Sequence, residues 1–247
     1  MFKNSFFANM PPVVKNLLLI NASVLLLSYI IETTFHIDIS SKIGLYFFKS
    51  SAFKPFQIVT HMFMHANFMH LFFNMYALWI FGQILERVWG PKRFFIYYIA
   101  TGLGAAILHS LVNYFQVINA TELMTSEQIN TVLKEGFSVI QQGKNYIDPQ
   151  MAKLNLLANI PTVGASGAVF GILLAFGMLF PNTELFLMFI PIPIKAKYFV
   201  IGYGLIELFS GIANRQGDNV AHFAHLGGMI FGFILIKIWS RNGKTFY

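Results

Sequence analysis

The stretch Phe94–Thr121, FFIYYIATGLGAAILHSLVNYFQVINAT, runs for 28 residues without an aspartate, glutamate, lysine or arginine. A helix needs roughly 20 mostly apolar residues to cross the hydrocarbon core of a bilayer. Five more stretches of this kind surround it. Asn16–Ile31 has 16 uncharged residues, Pro55–Leu85 has 31, Leu154–Thr183 has 30 and Asn219–Ile236 has 18, while Tyr198–Asn214 is interrupted only by Glu207 and ends before Arg215. The whole chain agrees: of 247 residues, 17 are Lys or Arg and 10 are Asp or Glu, so 11% are charged and 56% hydrophobic. Soluble domains carry about 25% charge. So few charges cannot cover a water-exposed surface, which excludes a soluble globular enzyme. The 28 Phe, 10 Tyr and 3 Trp suit lipid contact and interfacial belts. With no cysteine, disulfides, thiolate chemistry and Cys-ligated zinc or iron–sulfur sites are excluded. The net charge of +7 bears on membrane topology and not on nucleic acid, because no basic cluster interleaves with aromatics.

These stretches predict an all-α polytopic membrane protein, one membrane-embedded domain over residues 1–247. Its six spans are expected at about 14–31, 57–85, 94–115, 164–180, 197–213 and 220–240. Residues 116–160 read as a long polar loop, 32–54 as a structured interfacial loop and 181–197 as a Pro-rich turn. With the N-terminus inside, ten basic residues (Lys3, Lys15, Arg87, Lys92, Arg93, Lys195, Lys197, Lys237, Arg241 and Lys244) lie on the cytoplasmic side. Seven (Lys42, Lys49, Lys54, Lys134, Lys144, Lys153 and Arg215) lie on the other. This bias puts both termini in the cytoplasm, with a plasma membrane as the expected location. A cleaved signal peptide is the weaker reading of the first span, since no clear small-x-small site follows it. Spans two, four and six then begin on the outer side. His70, Ser166 and His225 would share one depth, roughly 5–15 Å below that surface.

Each polar motif has a structural and a chemical reading. In Gly164-Ala-Ser166-Gly167-Ala-Val-Phe170-Gly171, Gly167 and Gly171 form GxxxG, a helix-packing pattern. Ser166 is either a serine bonded one turn back or a nucleophile at a helix N-terminus, where free N–H groups favour an oxyanion. His225 in Ala224-His225-Leu-Gly-Gly228-x3-Gly232 is either a neutral interhelical partner or a general base. Gly228 and Gly232 would clear its face for contact with Gly167 and Gly171. His70 and Asn74 are i,i+4 neighbours that can both donate hydrogen bonds. His61 and His65 have metal-ligand spacing, but Met62 stands where His-Glu-x-x-His needs glutamate, which disfavours a zinc protease. Glu207 has no catalytic partner evident from spacing and reads as an interhelical hydrogen-bonding group or a protonated carboxyl. His222 reads as a cavity-lining or loop-contacting residue. Glu86, in Gly82-x3-Glu86-x3-Gly90, reads as structural, capping a neighbouring segment.

Taken in order, Gly164-Ala-Ser166-Gly167, His70-x3-Asn74, Ala224-His225-x2-Gly228-x3-Gly232 and Gly82-x3-Glu86-x3-Gly90 resemble the rhomboid family of intramembrane serine proteases over about residues 10–240. The resemblance implies a six-transmembrane-helix rhomboid-like bundle with a Ser–His dyad. Ser166 would be the nucleophile, His225 the general base, and His70, Asn74 and the Ser166 backbone the oxyanion donors. Gly164, Gly167, Phe170, Gly228 and Gly232 would support them. Phe170 stands where the family often has Tyr, and Phe56-Gln57 where it often has Trp-Arg. No Asp or Glu lies at the depth of His225 in these motifs, so a third triad member is not visible in the sequence. The implied partners are single-span membrane proteins and lipid, with no cofactor, no metal and no nucleic acid. A transporter lined by His, Asn and Glu, an inactive rhomboid-like binding protein and a His-ligated metal hydrolase are the competing readings.

Overall fold

The computed structural model describes residues 9–187, 190–213 and 220–241; Lys3, Arg215, Asp218 and Lys244 lie outside the described residues. The first helix, α1, is Pro12–Phe35, opened by a proline in its first turn. Glu86 supplies what that turn lacks: its carboxylate accepts from Val13 N at 2.9 Å and Val14 N at 2.8 Å. The capping role expected of Glu86 is thus met by two of the N–H groups a helix start leaves without partners.

Residues 32–54 fold back as an ordered segment containing α2 (Ser40–Ile43), with Leu45, Tyr46 and Phe47 buried. The span expected at 57–85 divides in two. A short helix α3 (Gln57–Thr60) runs into a 3₁₀ turn at His61–Phe63. The crossing helix starts only at α4 (Phe68–Ala77), where the Asn67 side chain caps it by accepting from His70 N at 2.8 Å. The break falls at Asn67, an N-cap residue inside the uncharged run, whose side chain satisfies a free N–H at the start of the crossing helix. A π-helical turn at Leu78–Gly82 joins α4 to α5 (Gln83–Trp89). Gln57 anchors the folded-back segment: its amide donates to Lys42 O and Ala52 O, both at 3.1 Å, and its Oε1 accepts from Lys54 N at 3.0 Å.

The third crossing helix, α6, is Pro91–Thr121. The expected loop 116–160 is instead a helical hairpin, α7 (Ser126–Gln141) and α8 (Pro149–Asn159). A Thr125–Gln128 capping box starts α7, and Asp148 followed by Pro149 starts α8. Polarity was mistaken for irregularity there, because these helices bury only one face, packing Val132, Leu154 and Ala158 on Phe47 and Val117. The next helix, α9 (Ser166–Leu179), has 14 residues, about 21 Å of helix. It is apolar on all sides and almost wholly buried, as a central helix must be. Strands β1 (Glu184–Leu187) and β2 (Ile190–Lys195) form an antiparallel ribbon where a Pro-rich turn was expected. Helices α10 (Ala196–Ala213) and α11 (His222–Arg241) complete the bundle.

Among the described residues, α1, α4–α5, α6, α10 and α11 are long and apolar enough to cross a membrane, and α9 is the shorter sixth helix. The protein is therefore an all-α polytopic bundle with a small β ribbon. Exposed Leu26, Leu27 and Tyr29 on α1 and Ile201, Ile206 and Phe209 on α10 are the lipid-facing surface of such a bundle. Helices α6, α9 and α11 pack closely on one another at its centre.

Candidate active site

The segment before α9 sets the depth of Ser166. Residues 160–165 are not helical, and Thr162 pairs with Leu45 in an antiparallel bridge, Leu45 N to Thr162 O at 2.9 Å and Thr162 N to Leu45 O at 2.8 Å. Gly164 N then donates to His61 O at 2.9 Å. Gly164 has φ +132°, a conformation that L side chains rarely adopt. It also leaves no room: a methyl group there would stand 2.8 Å from His70 Cε1 and 2.9 Å from Nε2. The chain is thereby led into the bundle before helix begins, and Ser166 is the first residue of α9. Its N–H and those of Gly167 and Ala168 have no carbonyl one turn back to serve.

His225, in the first turn of α11, points its Nε2 at Ser166 Oγ, 2.8 Å away. Phe170, one turn along α9 from the serine, stacks flat on the imidazole, with ring centroids 4.1 Å apart and planes 6° apart. The contact is possible because Gly228 lies against the backbone of Gly167, its missing side chain leaving space that Gly167 O fills. The expected pairing of Gly171 with Gly232 is not found. Gly171 faces Thr101, and Gly232 faces Tyr97, both on α6. Tyr97 wedges between α9 and α11 and donates to Gly171 O at 2.8 Å. A three-helix junction replaces the two-helix zipper that sequence spacing suggested.

His70 stands beside the serine, its ring edge over Gly164. Asn74, buried, donates its amide to His70 O at 2.8 Å. An Asn amide carries two protons, so one remains for an oxyanion. His61 is outside the crossing helix, its Nδ1 2.9 Å from Gln57 O. His65 is buried edge-on to His70, with ring centroids 5.1 Å apart. Behind Ser166 a small cavity is lined by His61, Thr162, Val163, Gly164, Ala221 and Ala224. Thr162 Oγ1 is 2.8 Å from His109 Nε2 of α6, a histidine visible in the sequence as ionisable within a span but not assigned to the site.

Glu207 corrects the expectation of a site without a carboxylate. Its Oε2 lies 2.9 Å from His225 Nδ1 and 2.6 Å from His222 Nδ1. Sequence distance hid this contact, but parity could have found it. Helix α10 ends where α11 begins, so a residue two turns before Ala213 shares the depth of the first turns of α11. Glu207, His222 and His225 are also the cluster, among the described residues, whose donor atoms could surround a metal ion. As the side chains stand, the carboxylate oxygen is at hydrogen-bond distance from each imidazole nitrogen, closer than the roughly 3.3 Å between ligand atoms on a tetrahedral zinc with bonds of ~2.0–2.1 Å.

The fold and site define a multi-pass membrane protein with a serine and an imidazole in contact at the buried start of a short helix. The rhomboid domain model matches residues 52–242, and the chain belongs to the rhomboid family. RHOMBOID-like protein 12, mitochondrial, of Arabidopsis thaliana is 29% identical over 234 residues, 94% of this chain and 59% of that protein. Rhomboid protein 1, mitochondrial, of Saccharomyces cerevisiae is 29% identical over 177 residues, 72% of this chain and 40% of its own length. Rhomboid protease AarA of Providencia stuartii is 27% identical over 182 residues, 70% of this chain and 52% of its own. The chain spans about half the length of the curated relatives it matches. Two of the three carry mitochondrial names, so the plasma membrane expected from the sequence gains no support from them.

Proposed function

We propose that the chain is an intramembrane serine endopeptidase that hydrolyses peptide bonds in or next to the transmembrane segment of single-span membrane proteins. Ser166 is the nucleophile and His225 the general base. The observation that carries this reading is the 2.8 Å contact of Ser166 Oγ with His225 Nε2 at the N-terminus of a helix that begins inside the bundle. Ser166 Oγ attacks the scissile carbonyl carbon while its proton passes to His225 Nε2. The negative oxygen of the tetrahedral intermediate is stabilised by Ser166 N–H, by the second Asn74 amide proton and by His70. The imidazolium returns its proton to the leaving amine and the C–N bond breaks, leaving an ester on Ser166. Water entering from the outer side, deprotonated by His225, hydrolyses that ester. The basic residues support an orientation with both termini on one side and the site opening on the other.

The test is cleavage of a generic single-span substrate by the purified chain in detergent. Ser166→Ala should lower the rate at least ~10⁴-fold, the scale seen when a serine protease loses its nucleophile. Its melting temperature should not change, since alanine suits a helix first turn. Equal cleavage by the variant would refute the serine mechanism.

A further inference from the structure

We infer that Glu207 is a positioning residue for His225, so that the site is a Ser166–His225–Glu207 triad. The inference rests on the reading of Ser166 and His225 as nucleophile and base. Glu207 is buried on α10 and its Oε2 meets two imidazole nitrogens, Nδ1 of His222 at 2.6 Å and Nδ1 of His225 at 2.9 Å. A protonated carboxyl would donate this oxygen's proton to one ring while accepting from the other. An ionised carboxylate accepts an N–H from each ring, and this is the arrangement we take. In that arrangement His225 carries its proton on Nδ1, and the lone pair is on Nε2, facing Ser166 Oγ at 2.8 Å. This is the tautomer a general base requires.

Two further features make the contact more than a buried ion pair. Phe170 fixes the plane of the His225 ring but leaves it free to turn within that plane. A hydrogen bond at Nδ1 removes that freedom. The same helix secures both: Tyr203, one turn before Glu207 on α10, packs on Phe170 with ring centroids 4.8 Å apart. The carboxylate also faces the positive charge that the imidazole acquires when it takes the serine proton. A carboxylate within a span is costly and is retained where it is paired and used.

The experiment measures kcat and KM of the purified full chain on a single-span substrate, with active sites counted by end-point fluorophosphonate labelling. Glu207→Gln keeps the size but introduces a donor that favours the wrong tautomer, and it removes the charge. We expect kcat per labelled site to fall ~10²–10⁴-fold, by comparison with removal of the triad aspartate in serine proteases. KM and melting temperature should be unchanged, and Glu207→Asp should recover at least about tenfold over the glutamine variant. A glutamine variant within about twofold of wild type per labelled site would overturn the inference. So would a loss confined to melting temperature and labelled fraction, which a merely structural contact would give. Activity abolished by EDTA and restored by zinc would overturn it too, making Glu207 a metal ligand. Ser166→Ala run in parallel separates the two levels. If it is inactive while Glu207→Gln is fully active, the triad fails and the proposed function stands. If wild type does not cleave, or Ser166→Ala cleaves equally well, both fail.

Discussion

Where α9 crosses α11, Gly228 lies on the backbone of Gly167, and no side chain separates them. Where α7 meets α8, Gly136 is equally close to its neighbour, but what fills its space is the pair of amides of Asn155 and Asn159. The first contact lies in a bundle whose surroundings are apolar. There, association depends on close packing and on the few polar groups that find one another. In the second, both helices are capped at their starts and α7 is amphipathic, like a helix in water. Asn159 donates to Val132 O at 3.1 Å and to Asn155 Oδ1 at 2.8 Å, and accepts from Ser50 Oγ. One region gathers its polar groups around Ser166, the other uses them to hold a hairpin to the bundle. Substitutions should therefore separate activity from stability according to region.

The largest separation is expected at His225. His225→Ala should lower turnover about as far as loss of Ser166, ~10⁴-fold or more, because nucleophile and base act as one unit. His222→Ala, three residues away, should keep measurable activity. If His222→Ala were inactive and folded while His225→Ala worked, the register of α11 against α9 would be wrong by one turn. Rates on one substrate, with melting temperatures alongside, decide it.

Next come the donors. His70→Ala and Asn74→Ala should each lower kcat by about 10²–10³-fold, the usual contribution of one oxyanion donor, without abolishing cleavage. Full turnover in both would remove them from the site. In the hairpin the balance reverses. Asn159→Ala leaves buried polar groups without a partner and should cost about 1–3 kcal/mol of stability. Turnover per labelled site should stay near wild type. Smallest of all, Thr125→Ala removes an exposed cap and should cost about 1 kcal/mol. A hairpin variant that melted normally yet lost kcat would contradict the division between the regions.

The same contrast explains what the sequence made legible. Among the described residues, the five helices long and apolar enough to cross a membrane were readable because uncharged runs of such length have little other use. Ser166, His225, His70 and Asn74 were readable as polar exceptions within such runs. Helices α7 and α8 were missed because amphipathic, capped helices carry as many polar residues as a loop. Thr125 with Gln128, and Asp148 with Pro149, were the signals available. The division of residues 57–85 was signalled by Asn67, an N-cap residue lying within the run. Tyr97 between α9 and α11 could not be foreseen, because which third helix fills a glycine face is a property of packing and not of spacing. Glu207 stands out in the sequence as a carboxylate within a span, but its partner does not, since a contact across 18 residues and a helix reversal is invisible to periodicity.

The most direct measurement of the central claim is the site of covalent labelling. A fluorophosphonate forms a bond with a serine oxygen only where a base has removed its proton and an oxyanion hole receives the phosphonyl oxygen. Incubating the folded chain in detergent with such a probe and mapping the adduct by mass spectrometry should find it on Ser166, absent in Ser166→Ala and strongly reduced in His225→Ala. No adduct on the folded wild-type chain, or an adduct on another serine with Ser166 unmodified, would contradict the account.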